Sequence, residues 1–329
     1  MMKPSRFFPS FSFFFLLLVL SSYSLIANAQ EDTKSKVRIG YLPIYVELPL
    51  FVAKENGFFD KRGVQVELER FASSPDLGKA FDAGDVQVGA SIAYSVALQT
   101  EIKNPDKFKA FIVDSETPEN YLSSIVVLKT SNIKSVQDLR GKKLASFPGP
   151  TAVTFLKLVL EKFGLNPERD VDIKELEIGS HIAALQKGEV DALFTYEPTG
   201  TQAVMQANAV KILPGAVESN VINPWQAGIW IINNKFASEN PDRTRKIILA
   251  LYDAIDYIRL HPEQSKSALL KFTNISEDVA NATPNIPFAK IDEVNFDAFQ
   301  KHADILSQRG VISQKVEARK IIAPKEWVY

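Results

Sequence analysis

The chain has 329 residues, 38 basic and 39 acidic side chains, 46% hydrophobic residues, three histidines and no cysteine. That length supports two lobes with ordinary cores, and the nearly balanced charge supplies no basic patch for nucleic acid. The missing cysteines exclude disulfides, thiolate nucleophiles, cysteine-ligated metals and a lipid-modified N-terminal cysteine.

Lys3 and Arg6 precede an apolar stretch over 11–20 and then Ala27, Asn28 and Ala29, the pattern of a cleavable secretory signal over residues 1–29. Residues 7–26 are also about long enough for an uncleaved membrane anchor. Pro9 and the interspersed serines dilute that span, and the small residues at its end suit a signal peptidase. Cleavage leaves Gln30 first, with 36 basic against 39 acidic side chains, a net charge of about −3. An exported chain without an anchor points to the periplasm.

From residue 37 onward, short apolar runs alternate with helical stretches, the style of βαβ units. Strands are predicted over 37–41, 64–70, 86–91 and 108–113, then over 143–147, 171–176, 190–196 and 209–213. Helices are predicted between them over 49–56, 76–83, 94–102, 151–163, 181–186 and 199–206. Within this pattern Ala80-Phe81-Asp82-Ala83-Gly84-Asp85-Val86 is echoed by Ala184-Leu185-Gln186-Lys187-Gly188-Glu189-Val190. Each copy reads as a helix closed by a left-handed glycine and followed by an apolar strand. The repeat implies two similar lobes.

Two further apolar runs, 122–128 and 228–232, flank the second set and read as crossover strands forming a double connection. The expected fold class is therefore α/β, two mostly parallel-sheet lobes joined by two crossover strands. Lobe one is expected to take 30–122 and 233–329, and lobe two 123–232. Beyond residue 234 the pattern becomes helical: Thr244, Ile247, Ile248, Leu251, Ile255 and Ile258 share one face of a segment that Pro262 ends. Helices over 263–272, 276–282 and 292–309 are expected to pack back on lobe one.

Ile39-Gly40-Tyr41, the run from Leu50 to Val64, Asp138-Leu139-Arg140-Gly141, Asp191-Ala192-Leu193-Phe194 and Tyr196-Glu197-Pro198 carry a family resemblance. The chain resembles the solute-binding proteins for sulfonates, taurine, nitrate and thiamine-type pyrimidines that serve ABC importers. The resemblance covers most of 37–232. It implies a bilobal periplasmic-binding-protein fold of the venus-flytrap type, closing on one small molecule. It further implies delivery to an ABC permease in the inner membrane, with no cofactor. A monomer is expected.

Catalytic machinery is sparse. His181, His261 and His302 fall in different predicted helices, and no metal-ligand spacing, phosphate-binding loop or dinucleotide fingerprint occurs. Ser91 sits in Gly89-Ala90-Ser91-Ile92-Ala93, which approaches a nucleophile elbow but has Ala93 where the second glycine belongs. It is read as a pocket residue. Superfamily relatives include eukaryotic pyrimidine-synthesising enzymes with a cysteine-rich motif, which this chain lacks.

Ligands of open parallel sheets collect at the carboxyl ends of strands, so candidate binding residues come from loops at 40–48, 71–76, 91–94, 114–121, 147–151 and 196–199. Tyr41, Tyr45, Tyr94, Tyr121, Tyr196 and Trp225 offer rings that can sandwich a planar ligand; each is equally at home half-buried in a core. Glu47, Asp114 and Glu197 offer carboxylates to an amino group. Glu197 reads either as such a ligand partner or as a helix N-terminal acid needing no ligand. Gly149, Thr151 and Thr154, around the start of a helix, offer an anion site that Pro150 weakens by removing a donor. With no arginine in these loops, a small heteroaromatic such as a thiamine-type pyrimidine is the first expectation. Sulfonate, taurine, nitrate or an aromatic acid follow, with an exported enzyme or a ligand-sensing module as rival classes.

Overall fold

A computed structural model describes residues 36–328; the reading of 1–29 as an export signal lies outside them. Apolar runs with β-branched residues fill the strands. In chain order these are β1 (Val37–Tyr41), β2 (Val66–Arg70), β3 (Val88–Ala93), β4 (Phe108–Asp114), β5 (Ser123–Leu128), β6 (Lys142–Ser146), β7 (Val171–Glu175), β8 (Ala192–Tyr196), β9 (Ala209–Pro214), β10 (Gly228–Asn233) and β11 (Phe288–Lys290). They form two sheets, ordered β11-β4-β10-β3-β1-β2 and β7-β6-β8-β5-β9.

The two sheets share one plan. Each pairs its first, second and third strands in parallel (β2-β1-β3 and β7-β6-β8), then inserts a strand running the other way before its fourth. The inserted strand is β10 in the first sheet and β5 in the second, and both are antiparallel to their neighbours. The sheets are thus mixed yet mostly parallel in direction, as the sequence reading has them: β1–β4 run one way in the first and β6–β9 in the second. Besides the short β11, the exceptions are the crossover strands β10 and β5, each entering its sheet against the grain. One boundary differs. Gly228–Asn233 belongs to the first sheet, so the return from lobe two falls before Gly228 and not after residue 232.

The sequence echo marks equivalent corners. The helix Ser74–Ala83 and the helix His181–Lys187 end at Gly84 (φ 82°) and Gly188 (φ 69°). Asp85 N–H then donates to Ala80 O at 2.9 Å, and Glu189 N–H to Ala184 O at 3.0 Å. Both closures use the glycine's access to the left-handed region to turn the chain into the third strand of its sheet.

The helices that position the cleft are α1 (Leu48–Glu55), α2 (Ser74–Ala83), α3 (Tyr94–Lys103), α4 (Pro150–Lys162), α5 (His181–Lys187) and α6 (Thr199–Gln206), with α7 (Pro241–Leu260) and α8 (Phe296–Gln308) closing lobe one. Thr244, Ile247, Ile248, Leu251, Ile255 and Ile258 of α7 are buried as the 3.6-residue pattern requires. The stretch 263–272 is a series of short turns instead of one helix, and Phe272 stacks on Phe51 of α1 with centroids 4.4 Å apart. Among the described residues no helix is long and apolar enough to cross a membrane.

The two connections between sheets, 115–122 and 215–227, are tied to each other. Glu116 and Trp225 form an isolated antiparallel bridge, exchanging N–H to O bonds of 3.0 and 2.9 Å. This short ladder is the hinge.

Candidate functional site

Three helices begin at the same place between the lobes: α2 at Ser74 and Pro75, α3 just after Ala93, and α4 at Pro150 after Gly149. With Leu42, Phe147, Tyr196 and Gly228 they wall a narrow void of about 30 Å3 whose floor includes Asp114 and Ser91. A void of that size holds one or two waters, each needing roughly 10–15 Å3. No lysine, arginine or histidine lines it.

The lobes are closed on each other here. Thr151 Oγ1 of α4 donates to Ser95 Oγ of α3 at 2.6 Å, and Ser95 N–H donates to Thr151 Oγ1 at 3.3 Å. Tyr45 N–H donates to Glu197 O at 3.2 Å. Farther out, both Arg309 guanidinium nitrogens meet the Glu161 carboxylate at 2.8 Å.

Asp114 ends β4 and is fully buried. Its Oδ2 accepts from Ser91 Oγ at 2.5 Å and its Oδ1 from Trp230 Nε1 at 3.2 Å. Burial pushes its pKa up to about 7, against the opposing pull of those two donors. Ser91 reaches this position with φ at 35°, a rarely populated backbone state for a residue with a side chain. Gly228 makes room: a Cβ there would lie 2.4 Å from Ser91 Oγ and 2.5 Å from Asp114 Oδ2.

Two more buried acids stand behind Asp114. Glu47 Oε1 accepts from Leu42 N–H at 3.1 Å, while its Oε2 has no partner among the described residues. Glu116 Oε2 accepts only a long 3.4 Å bond from Ala227 N–H, and its Oε1 is likewise without a partner. Burial raises the pKa of both well above the usual carboxylate range, and the Asp114 charge raises each further. Glu218 on the hinge is better served, accepting from Leu122 N–H, Ser123 N–H and Ser123 Oγ at 2.8, 3.1 and 2.6 Å.

Of the sequence candidates, Ser91, Asp114, Gly149, Thr151 and Tyr196 line this void. Tyr41 packs edge-on against Phe51 and Phe272. Tyr45 is buried, its hydroxyl 3.3 Å from Asn285 Oδ1. Tyr94 stacks on Phe299 and meets His302, and Trp225 packs between Phe155 and Tyr196. Thr154 lines a separate groove beside Lys157 and Arg309.

Glu197 is buried inside lobe two with its charge already answered. Lys211 Nζ of β9 donates to its Oε1 at 2.6 Å, and Thr201 N–H to its Oε2 at 3.0 Å. Lys211 also donates to the Tyr121 hydroxyl at 3.3 Å and lies over that ring, 5.1 Å from its centroid. The ligand-partner role is thus bypassed, because Lys211 neutralises the carboxylate, and the alternative reading as a helix N-terminal acid needing no ligand fits. Thr201 N–H belongs to the first turn of α6.

His181 is buried, bonded to Thr195 Oγ1 and Leu176 O at 3.0 Å each, and burial lowers its pKa to about 4. Among the described residues no group of His, Asp or Glu is arranged to hold a metal. Sequence reasoning missed Phe147, Leu122 and Gly228 of the void. A lone glycine in the apolar run of β10 was the available signal for close approach.

Beside the void lies a roomier chamber of about 720 Å3, whose walls come from both lobes. Arg70, the last residue of β2 and one position before a candidate loop, is on its wall.

Two sheet-bearing lobes, a two-stranded hinge and a ligand-sized space between strand tips define a bilobal solute-binding protein of the kind that serves ABC importers. The chain belongs to the NMT1/THI5-like family, whose sequence pattern matches residues 46–265. It is 26% identical over 310 residues to an Escherichia coli protein named as an aliphatic sulfonates-binding protein, covering 92% of this chain and 93% of that one. It is 25% identical over 280 residues to a Haemophilus influenzae protein named for thiamine biosynthesis, covering 82% and 85%. Its fold matches the MOPS-bound alkanesulfonate-binding protein SsuA from Xanthomonas axonopodis pv. citri at 19% identity, with a TM-score of 0.72 over 88% of this chain and 98% of that one. Family and relatives make this chain a binding protein and not an enzyme, although the fold also carries the desulfurization enzyme DSZB (16% identity, TM-score 0.66, 89% and 98% covered). The family and fold are those of extracytoplasmic solute-binding proteins.

Proposed function

We propose that the chain is exported by its first 29 residues, captures an amino-bearing small heteroaromatic between its lobes, and delivers it unchanged to an inner-membrane ABC permease. The carrying observation is Asp114: a buried carboxyl on the floor of the cleft, backed by the unpartnered oxygens of Glu47 and Glu116, with no basic side chain lining the void. Buried carboxyls are tolerated when paired or protonated. A ligand N–H or ammonium adds a further donor to Asp114, whose oxygens each accept one bond already, a charge-assisted bond contributing about 1.5–3 kcal/mol. Tyr196 and Phe147 pack on each other in the lining of the void, with ring centroids 5.5 Å apart, and present aromatic surface to a ligand.

A sulfonate or nitrate is the second reading, favoured by the three helix N-termini at the void and by what the relatives are named for. Against it, the donors there are largely spent. Tyr94 N–H bonds Ala227 O, Ser95 N–H bonds Thr151, Gly149 N–H bonds Glu175, and Asp76 N–H bonds Ser73. Pro75 and Pro150 have no N–H to give.

A thermal-shift and tryptophan-fluorescence screen of aminopyrimidines, other heteroaromatic amines, sulfonates, nitrate and aromatic acids tests the reading. Amines should bind, and Asp114→Asn should weaken them at least tenfold. Sulfonate binding that survives that substitution, with no amine binding, would transfer the assignment to the second reading.

A further inference from the structure

We infer, resting on the amine reading above, that the solute has two parts: an amino head at Asp114 and a larger, uncharged, hydrogen-bonding body that fills the neighbouring chamber. The two spaces differ in scale. The void at Asp114, at about 30 Å3, accommodates an amino group and not a ring, whereas the chamber, at about 720 Å3, lies within the range of small-molecule pockets.

They are also neighbours. Leu42 lines the void and the next residue, Pro43, lines the chamber; Tyr196 lines the void and Pro198 the chamber. Next to these residues in the chain, Tyr45 N–H donates to Glu197 O across the lobes at 3.2 Å. Tyr45 belongs to lobe one and Glu197 to lobe two. Parting the lobes therefore breaks this bond and opens both spaces, and a solute lying across both would hold them open.

The chamber's lining says what the body is. It carries one basic and one acidic side chain, Arg70 and Glu177, so it favours neither sign of charge. Neutral groups add hydrogen-bonding capacity to that of this pair. Gln186 and Thr199 of lobe two and Asn274 of lobe one line it, and their side chains make no hydrogen bond to the described residues. Amides and hydroxyls from both lobes facing one space match a body with its own amides or hydroxyls, which the lobes would grip as they close.

The test uses the full-length mature chain, calorimetry and two probes, benzylamine and 4-(aminomethyl)benzoylglycinamide, against wild type, Asp114→Asn, and the pair Gln186→Leu with Asn274→Gly. Glycine is chosen at Asn274 because its φ is 57°. The extended probe should bind wild type about tenfold tighter than benzylamine, as two added neutral hydrogen bonds allow. The double variant should erase that preference while leaving benzylamine unchanged, and Asp114→Asn should weaken both probes. Equal affinity of the two probes, both still dependent on Asp114, would overturn the two-part solute and leave the amine reading standing. Binding of neither probe, or binding indifferent to Asp114→Asn, would overturn the amine reading itself.

Discussion

Asp114→Asn should stabilise the protein in alkaline solution and do little in acid. The folded pKa of Asp114 is about 7, raised from 3.8 by burial. A carboxyl whose folded pKa exceeds its unfolded value holds its proton longer in the folded state. Its contribution therefore turns unfavourable as pH rises from about 4 to about 7 and is constant above that. Roughly three pKa units correspond to about 4 kcal/mol at full effect. Asparagine cannot ionise, and its amide can accept from Trp230 and donate to Ser91, whose hydroxyl rotates to accept. Urea unfolding of wild type and variant across pH 4–8.5 should give curves that meet near pH 4 and separate by about 2–4 kcal/mol at pH 8, the variant being more stable. Glu47 and Glu116 feel the Asp114 charge, so its removal also relieves them and adds to the alkaline gain of the variant. A gap that does not change with pH would refute the buried, proton-holding Asp114 on which the ligand argument stands.

Lys211→Met should destabilise lobe two by about 3–5 kcal/mol, because it strands the Glu197 carboxylate in a buried site; a loss under 1 kcal/mol in urea unfolding would mean that Glu197 is not dependent on this partner. Gly228→Ala should cost about 1–3 kcal/mol by overpacking Ser91 and Asp114 and should abolish solute binding in calorimetry, whereas a variant of unchanged affinity would show that the Ser91–Asp114 arrangement is dispensable. Ser95→Ala combined with Thr151→Val removes the bridge between α3 and α4, and small-angle scattering of the ligand-free variant should give a larger radius of gyration than wild type; identical profiles would assign closure to other contacts.

The plan of the lobes could be read from the sequence because its signals are local. Gly84 and Gly188 close matching helices, and apolar runs between helical stretches place most strands within two residues. Which sheet a strand joins is not a local property. The run at 228–232 reads the same whether it belongs to lobe one or lobe two, so the boundary there moved. The β11 strand has three residues, too few for a period to show. The site divides along the same line. Asp114 and Ser91 could be picked from their place at the end of β4 and in the loopward end of β3. The partner of Glu197 could not, since Lys211 comes from a neighbouring part of the sheet two elements later. Tyr41, Tyr45, Tyr94 and Trp225 lie in apolar surroundings where a ring in the core and a ring in the cleft look alike.

The most direct measurement is a crystal structure of the mature chain with an amine found in the ligand screen. The account predicts density enclosed between the two lobes, with a ligand nitrogen at about 2.7–3.2 Å from the Asp114 carboxyl. A ligand bound on the outside of either lobe, or one facing Asp114 with no hydrogen-bond donor, would contradict it.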